Sequence, residues 1–188
     1  MVETATTTMA RTAKDWRESP VSSHHHVSFL CVDPEETRRY YEDFLGFEFT
    51  AAYPSKATVD GKSVDVLNML FRMKNGDFIG FHHLRGEKKT PLELAPLDMH
   101  FALKLPSEGA WNSWVQYLAN AGVEYNGPLD HDFVRSVYFL DPNGIWLEFT
   151  YELANHEEQL RELETHARRN MAGWTVQTAD VKKKARGN

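Results

Sequence analysis

The order of predicted strands and helices occurs twice along the chain, and this repeat constrains the fold more than any other feature. In the first half, a strand-like run at His26–Val32 precedes a helix that ends at Gly46, and three strand-like runs follow. In the second half, His100–Leu105 precedes a helix that ends at Gly122, again with three strand-like runs after it. The pattern predicts two βαβββ modules, each with a histidine at the start of its first strand.

Cap and turn residues indicate where these elements begin and end. Asp33 is a suitable N-cap for the first helix, and Pro34 suits the first helical position. Ser107 is the corresponding cap of the second helix. Between strands, Lys74–Asp77 has the composition of a hairpin turn, and Asp141–Gly144 joins the last two strands.

The geometry of the last turn decides which residues face each other. With Gly144 in a left-handed conformation and a three-residue loop, the hairpin is centred on Asn143. Tyr138 and Glu148 then lie opposite each other and point to one face of the sheet. A two-residue loop would instead pair Tyr138 with Leu147, and Glu148 would point away.

These elements predict an α+β fold in which two paired βαβββ modules form a half-open mixed sheet around a cleft, followed by a C-terminal helix. Polar composition at both ends of the chain predicts flexible termini. The expected regions are a flexible N-terminal arm at 1–21, a domain at 22–152 with modules at about 22–96 and 97–152, a helix at 153–174, and a basic flexible tail at 175–188.

The predicted C-terminal helix is charged and amphipathic. Asn155 and Glu158 have the spacing of a capping box at its start. Its apolar residues recur at helical spacing, at Leu160, Leu163, Ala167 and Met171. Such a stripe predicts packing across the domain or on a partner, and we expect a homo-oligomer.

Composition excludes several classes of protein. The 188 residues carry a net charge of −6, which argues against nucleic-acid binding because that function needs a basic face. No apolar run reaches the roughly 18 residues that span a bilayer, so no membrane association is expected. Cys31 is the single cysteine and has no internal disulfide partner, which favours a reducing, cytoplasmic environment.

Histidines are abundant, with nine in the chain, and two of them occupy equivalent places in the repeat. His26 and His100 each begin a module, and Glu148 lies on the last strand. Two histidines and one carboxylate leave coordination positions open for substrate and oxygen, as in non-haem Fe(II) sites. We therefore predict that His26, His100 and Glu148 bind a metal in the cleft. The alternative is that these are ordinary surface or core residues, because such motif matches often occur by chance.

The first module resembles a known family. The run from His26 to Asp33, followed by Thr37–Phe47, resembles the opening of the vicinal oxygen chelate proteins. These include glyoxalases, bleomycin- and fosfomycin-resistance proteins and extradiol ring-cleaving dioxygenases. Tyr138–Phe149 resembles the final hairpin of that family. The resemblance covers roughly residues 22–152 and implies the two-module fold.

The same resemblance implies a set of metal ligands. His26 corresponds to the histidine that precedes the acidic helix cap, and His100 to the histidine that opens the second module. Glu148 corresponds to the glutamate that is the family's last ligand.

Within this family the second module is most similar to type I extradiol dioxygenases. The matching positions are His131, Val137, Tyr138, Asp141, Pro142, Gly144 and Glu148. Leu129 departs from the pattern, which usually has glycine, asparagine or a β-branched residue there. This similarity implies Fe(II), with Mn(II) as the alternative metal. It also implies O₂ and the opening of a catechol-like aromatic ring beside its vicinal diol.

The resemblance also implies residues that assist the reaction. Tyr138 would hydrogen-bond a substrate oxygen, and His131 would be a donor near the mouth of the cleft. One of His82 and His83 would transfer protons, because extradiol enzymes carry a histidine near this strand.

Strand alternation allows only one of His82 and His83 to face the cleft. We favour His83, which shares a face with Ile79 and Phe81. The candidate lining of an apolar substrate pocket is Ile79, Phe81 and Trp146.

Other members of the family offer alternative functions. A glyoxalase-type isomerase or lyase, or a thiol-transfer resistance enzyme, would use the same scaffold and the same three ligands. Glyoxalase-type members usually have a fourth glutamate or glutamine ligand near Phe78–Leu84, and that run contains neither residue. A non-catalytic binding protein is the second alternative, although such resistance proteins typically lack the ligand histidines. The chain also has a single pair of modules, whereas common extradiol enzymes duplicate the whole domain.

Overall fold

The structure is a computed structural model, and it describes residues 23–87 and 89–179. The predicted arm at 1–21 lies outside the described residues, as does most of the predicted tail at 175–188. The elements follow in the order β1 (His26–Leu30), α1 (Pro34–Arg38), β2 (Glu48–Val59), β3 (Lys62–Arg72), β4 (Phe78–Leu84), β5 (Phe101–Lys104), α2 (Glu108–Asn120), β6 (Tyr125–Asp130), β7 (Val134–Leu140), β8 (Trp146–Glu152) and α3 (His156–Gln177).

The strands form two four-stranded sheets of identical topology. The strand orders are β1-β4-β3-β2 and β5-β8-β7-β6. In each sheet the first strand of the module runs parallel to its last strand, and the other neighbours are antiparallel. The predicted α+β fold of two βαβββ modules is therefore confirmed.

Contacts divide the chain into two compact units. Among the described residues, the first unit contains 23–30 together with Tyr41–Arg85. The second contains Cys31–Tyr40 together with the described residues from Gly86 to 179. The segment between β1 and the middle of the first helix thus belongs with the later half of the chain.

An aromatic cluster forms the core of the first unit. Helix α1 continues as a π-helical turn over Arg39–Phe44, and this turn carries the buried Tyr41. The Tyr41 ring lies 4.7 Å from the ring of Phe81 and 5.4 Å from that of Phe71. One face of the first sheet is therefore packed beneath this turn.

The core of the second unit lies between its sheet and α2. As predicted, Ser107 caps α2 by accepting a hydrogen bond from the Ala110 N–H at 3.2 Å. The Trp111 indole donates to the carbonyl of Phe149 at 3.0 Å, and the Trp114 ring lies 5.0 Å from the Phe149 ring. Because side chains alternate along a strand, Tyr138 and Glu148 point to the opposite face of this sheet.

The β7–β8 turn has the three-residue loop that the sequence predicts. The Asp141 N–H donates to the carbonyl of Ile145 at 3.0 Å, and Gly144 has a left-handed φ of 78°. Tyr138 is consequently paired with Glu148 in the strand register.

Asn143, at the centre of this turn, is buried and connects it to the segment before α1. Its side-chain oxygen accepts a hydrogen bond from the Val32 N–H at 2.8 Å, and its amide lies 3.2 Å from the Thr37 hydroxyl. The Tyr40 hydroxyl also donates to the Leu140 carbonyl. These bonds explain why Cys31–Tyr40 belongs to the second unit, which a sequence repeat does not reveal.

Helix α3 is attached to the second unit at its first turn. The His156 imidazole donates from Nδ1 to the Phe133 carbonyl at 3.0 Å, and the two rings lie 5.6 Å apart. The predicted capping box is wrong, because the Asn155 amide donates to the Asp132 carbonyl and no side-chain hydrogen bond caps α3 in the described chain. The helix continues past its predicted end at 174 to Gln177. Among the described residues, no helix combines the length and apolarity needed to cross a bilayer.

Candidate functional site

A histidine–glutamate pair lies at the centre of the candidate site in the second unit. His100 immediately precedes β5, and β5 runs parallel to β8 with Ala102 opposite Glu148. This register brings His100 Nε2 to 3.1 Å from Glu148 Oε2. The Glu148 side chain is buried, whereas that of His100 is partly exposed.

Both members of this pair are held by a second contact. His100 Nδ1 lies 2.7 Å from the carbonyl oxygen of Pro96, and because a carbonyl only accepts, Nδ1 carries the proton. Ser136 donates its hydroxyl to Glu148 Oε1 at 2.5 Å. The remaining nitrogen of His100 and the remaining oxygen of Glu148 therefore converge on one point.

Tyr138 lies beside this pair on the same face of the sheet. His131 Nε2 is 3.1 Å from the Tyr138 hydroxyl, and the His100 ring stands perpendicular to the Tyr138 ring at 5.5 Å. Burial, the charge of Glu148 and a hydrogen bond to it raise the pKa of Tyr138. The phenol thus stays protonated at neutral pH and can donate a hydrogen bond.

The other predicted ligand, His26, lies in the first unit, at an exposed position of β1. Its Nδ1 lies 2.9 Å from Nδ1 of His25. β1 runs parallel to β4 with Leu30 opposite His82. Because side chains alternate, His26 and His82 point to the same face of this sheet.

His82, and not His83, is therefore the better candidate for a proton-transferring histidine. His82 Nδ1 lies 2.9 Å from the Asn68 side-chain oxygen. The Asn68 amide nitrogen donates to the Tyr53 carbonyl at 3.1 Å and to Ser55 Oγ at 2.8 Å, which fixes the orientation of the amide. His82 Nδ1 thus carries the proton, and Nε2 presents its lone pair.

The sequence-based preference for His83 is corrected by the packing of the first sheet. His83 shares a face with Ile79 and Phe81, as predicted, but that face is packed against Tyr41. Ile79 and Phe81 are fully buried. The expectation that these two residues line a substrate pocket is corrected as well, because both are core residues.

Trp146, the third predicted pocket residue, borders a pocket in the second unit, and its part in binding a substrate stays a prediction. It precedes Glu148 by two positions on β8 and points to the same face. Its indole donates to the Leu94 carbonyl at 2.6 Å, which fixes the ring. The pocket has a volume of about 590 Å³ and is lined by Val123, Glu124, Tyr125, Asn126, Leu140 and Trp146.

The structure thus brings His100, Glu148, Tyr138 and His131 together in one unit and places His26 and His82 on one face of the other. No set of three or more His, Cys, Asp or Glu side chains is arranged to hold a metal within residues 23–87 and 89–179. The assignment of His26 as a third ligand stays a prediction.

Two residues that orient candidate side chains, one in each unit, were not predicted from the sequence. Ser136 orients Glu148, and Asn68 orients His82. Ser136 precedes Tyr138 by two positions, so strand alternation could have identified it as a residue of the same face. Asn68 carries no such signal, because its contact depends on the register between β3 and β4.

Comparison with known families identifies the family of the chain. The model of the Glyoxalase/Bleomycin resistance protein/Dioxygenase superfamily matches residues 23–149, and the chain belongs to this superfamily. The match covers both modules and ends just after Glu148. No curated protein matches the chain.

Several solved structures have the same fold. A glyoxylase/bleomycin resistance protein/dioxygenase domain from Frankia sp. EAN1pec is 18% identical with a TM-score of 0.57, covering 71% of this chain and 99% of that one. The fosfomycin resistance protein FosX from Listeria monocytogenes, complexed with Mn(II) and sulfate, is 18% identical with a TM-score of 0.52 over 73% and 98% of the two chains. FosX from Mesorhizobium loti is 16% identical with a TM-score of 0.53 over 75% and 98%. At these identities the likeness establishes the fold alone.

Proposed function

We propose that this chain is a divalent-metal-dependent enzyme that acts on a small molecule bound through its oxygen atoms, as a resistance- or lyase-type member of the superfamily. The observation that carries this proposal is the His100–Glu148 pair, whose Nε2 and Oε2 atoms converge at 3.1 Å. The FosX protein from Listeria monocytogenes, which has the same fold, binds Mn(II). Mn(II) is therefore the first metal to test.

The residues present fit a divalent metal. Ligand atoms at about 2.1 Å from a metal and at right angles to each other lie roughly 3 Å apart, which agrees with the His100–Glu148 separation. Metal-binding histidines commonly donate their other ring N–H to a carbonyl, as His100 does to Pro96. Glu148 likewise has one oxygen held by Ser136 and the other directed at His100. His26 is the proposed third ligand.

A bound divalent cation would supply the charge that polarises a substrate oxygen and acidifies a coordinated hydroxyl or water. Tyr138 is a protonated donor beside the ligand pair and would hydrogen-bond the same substrate oxygen. His131 Nε2 lies 3.1 Å from the Tyr138 hydroxyl, and this hydrogen bond would hold the hydroxyl in place. His82, with Nδ1–H held by Asn68, would accept a proton at Nε2.

A second candidate function is the extradiol cleavage of a catechol-like ring with Fe(II) and O₂. The specific observation that favours it is the Tyr138–His131 hydrogen bond on the same sheet face as Glu148. These residue types at this spacing match the extradiol signature described above. The metal ligands would be the same in both candidate functions. The two can therefore be distinguished only by the reaction that the metal-loaded protein catalyses.

The decisive experiment measures metal binding and reaction type on one preparation. Metal-free full-length protein is titrated with Mn(II) and, anaerobically, with Fe(II), and the bound metal is counted. Loaded protein is then assayed without O₂ for thiol or water addition to fosfomycin and for isomerisation of a thiol–ketoaldehyde adduct. In parallel, O₂ uptake is followed with a panel of catechols.

The outcomes separate the candidates. Turnover that needs Mn(II) and consumes no O₂ supports the first proposal, whereas stoichiometric O₂ uptake with a yellow ring-opened product supports the extradiol reaction. His100→Ala should abolish stoichiometric metal binding, and His166→Ala, a change on α3, should not. A wild-type protein that binds neither metal would contradict both proposals and favour a non-catalytic binding protein.

A further inference from the structure

Helix α3 presents an apolar stripe that its own unit leaves exposed. The helix has 22 residues, none of them buried. Leu163 is 48% exposed, and Met171 and Trp174 are each 62% exposed. On a helical wheel the stripe occupies one narrow face, formed by Leu160, Leu163, Ala167, Met171 and Trp174.

This stripe is symmetric about its central residue. Ala167 lies midway between Leu163 and Met171, and also midway between Leu160 and Trp174. The smallest side chain therefore occupies the centre, where two crossing helices approach most closely. An antiparallel copy of the same helix would place Leu160 against the copy's Trp174, and Leu163 against the copy's Met171.

The charges of α3 favour the same arrangement. Its first half contains Glu157, Glu158, Glu162 and Glu164, with Arg161 as the only basic residue. Its second half contains Arg168 and Arg169 and no acidic residue. Antiparallel pairing sets each acidic half beside the basic half of the other helix, whereas parallel pairing would set the two acidic halves side by side.

One flank of the stripe carries a self-complementary pair of charges. Glu164 and Arg168 lie on the same side of the stripe, one on each side of the Ala167 position. In an antiparallel pair, each Glu164 comes within reach of the other copy's Arg168, and two-fold symmetry forms this contact twice.

We propose that α3 is a dimerisation helix that pairs antiparallel with α3 of a second copy of this chain, about a two-fold axis at Ala167. The first turn of α3 is fixed to its own unit by His156, which donates to the Phe133 carbonyl. The rest of the helix is therefore presented in a defined direction, with the apolar stripe as the contact surface.

The first test is the mass of the full-length chain in solution, measured by sedimentation equilibrium at several concentrations. The wild type should sediment at twice the 21.7 kDa chain mass. Leu163→Glu should shift the protein to the monomer mass, because it places two charges in the paired stripe. Val176→Glu is the matched control, since Val176 is 77% exposed and lies on the opposite side of the helix. This control should leave the dimer intact.

Orientation is tested by disulfide trapping between variants that each carry one introduced cysteine besides the native Cys31. A mixture of Leu160→Cys and Trp174→Cys proteins should cross-link on oxidation, and Leu160→Cys protein alone should not. The native Cys31 is fully buried and does not interfere. Circular dichroism of each variant confirms that α3 is still formed.

Several results would overturn the proposal. A wild type that is monomeric at every concentration removes the interface, and a Leu163→Glu variant that remains dimeric places the interface elsewhere. Equal loss of the dimer in Val176→Glu would attribute the effect to added charge and not to the stripe. Cross-linking of Leu160→Cys alone would show a parallel arrangement.

Discussion

Tyr138 lies directly opposite Glu148 in the β7–β8 hairpin, because the turn between the two strands contains a three-residue loop. One short turn thus determines that a phenol and a carboxylate share a face of the sheet. His100 joins them because β5 runs beside β8 in a register that places Ala102 opposite Glu148. The registers of the paired strands therefore bring these three side chains together on one face of the second sheet.

Gly144→Ala should destabilise the chain strongly. A Cβ atom at this position would lie 2.2 Å from the Leu92 carbonyl oxygen, and the φ of 78° is already unfavourable for alanine. We expect the free energy of unfolding to fall by more than about 2 kcal/mol in urea titrations. Gly76→Ala is the control, since Gly76 also has a positive φ but no atom within 4 Å of the added Cβ. It should cost only about 1 kcal/mol, and equal losses would show that the contact with Leu92 is unimportant.

Ser136→Ala should weaken metal binding without removing a ligand. The Ser136 hydroxyl holds Glu148 Oε1, and removal of such an orienting partner typically lowers metal affinity by about 10- to 100-fold. Calorimetric titration with Mn(II) measures the change. Ser113→Ala is a suitable control, because the Ser113 hydroxyl donates to the Gly109 carbonyl within α2. An unchanged Mn(II) affinity in Ser136→Ala would contradict this role of the hydroxyl.

His82→Gln and His83→Gln should differ in their effect on turnover. His82 shares a sheet face with His26, whereas His83 lies on the face that is packed beneath Tyr41. We expect His82→Gln to lower kcat by about 100-fold or more, as the loss of a general base does, while metal binding is retained. His83→Gln should have near-normal kcat. The reverse order would restore His83 as the candidate.

Cys31 should be unreactive in the folded protein. Burial raises the pKa of its thiol from 9.0 to about 11. Reaction with a disulfide reagent at pH 8 should therefore be slow in the native state and rapid in urea. Because the folded-state pKa is the higher one, the stabilisation that Cys31 contributes is complete below about pH 9 and is lost as the pH rises towards 11. Rapid native labelling would contradict the burial.

Much of this architecture could be predicted because it depends on local signals. The repeated strand–helix order, the caps at Asp33 and Ser107, and the glycine in the β7–β8 turn each follow from a few neighbouring residues. The facing of Tyr138 and Glu148 follows from the loop length together with strand alternation.

The parts that could not be predicted depend on contacts between distant residues. Alternation establishes that His82 and His83 point in opposite directions, but which face is covered depends on where Tyr41 packs. The bond between Val32 and Asn143 joins positions 111 residues apart and moves Cys31–Tyr40 into the second unit. The prediction of a capping box at the start of α3 was wrong for a similar reason. The Asn155 amide donates a hydrogen bond to the carbonyl of Asp132, which lies on a separate loop.

The hydrogen bond from the Val32 N–H to Asn143 also shows that the two compact units do not coincide with the two halves of the sequence repeat. A fragment beginning at Gly86 would contain the whole second sheet but would lack the Val32 N–H and Thr37 that occupy the buried side chain of Asn143. We expect such a fragment to be less stable than the same residues in the full-length chain, because the buried side chain of Asn143 would lose these hydrogen bonds. In a chain built from two similar halves, the second unit is thus completed by ten residues, Cys31–Tyr40, that belong to the first half of the sequence.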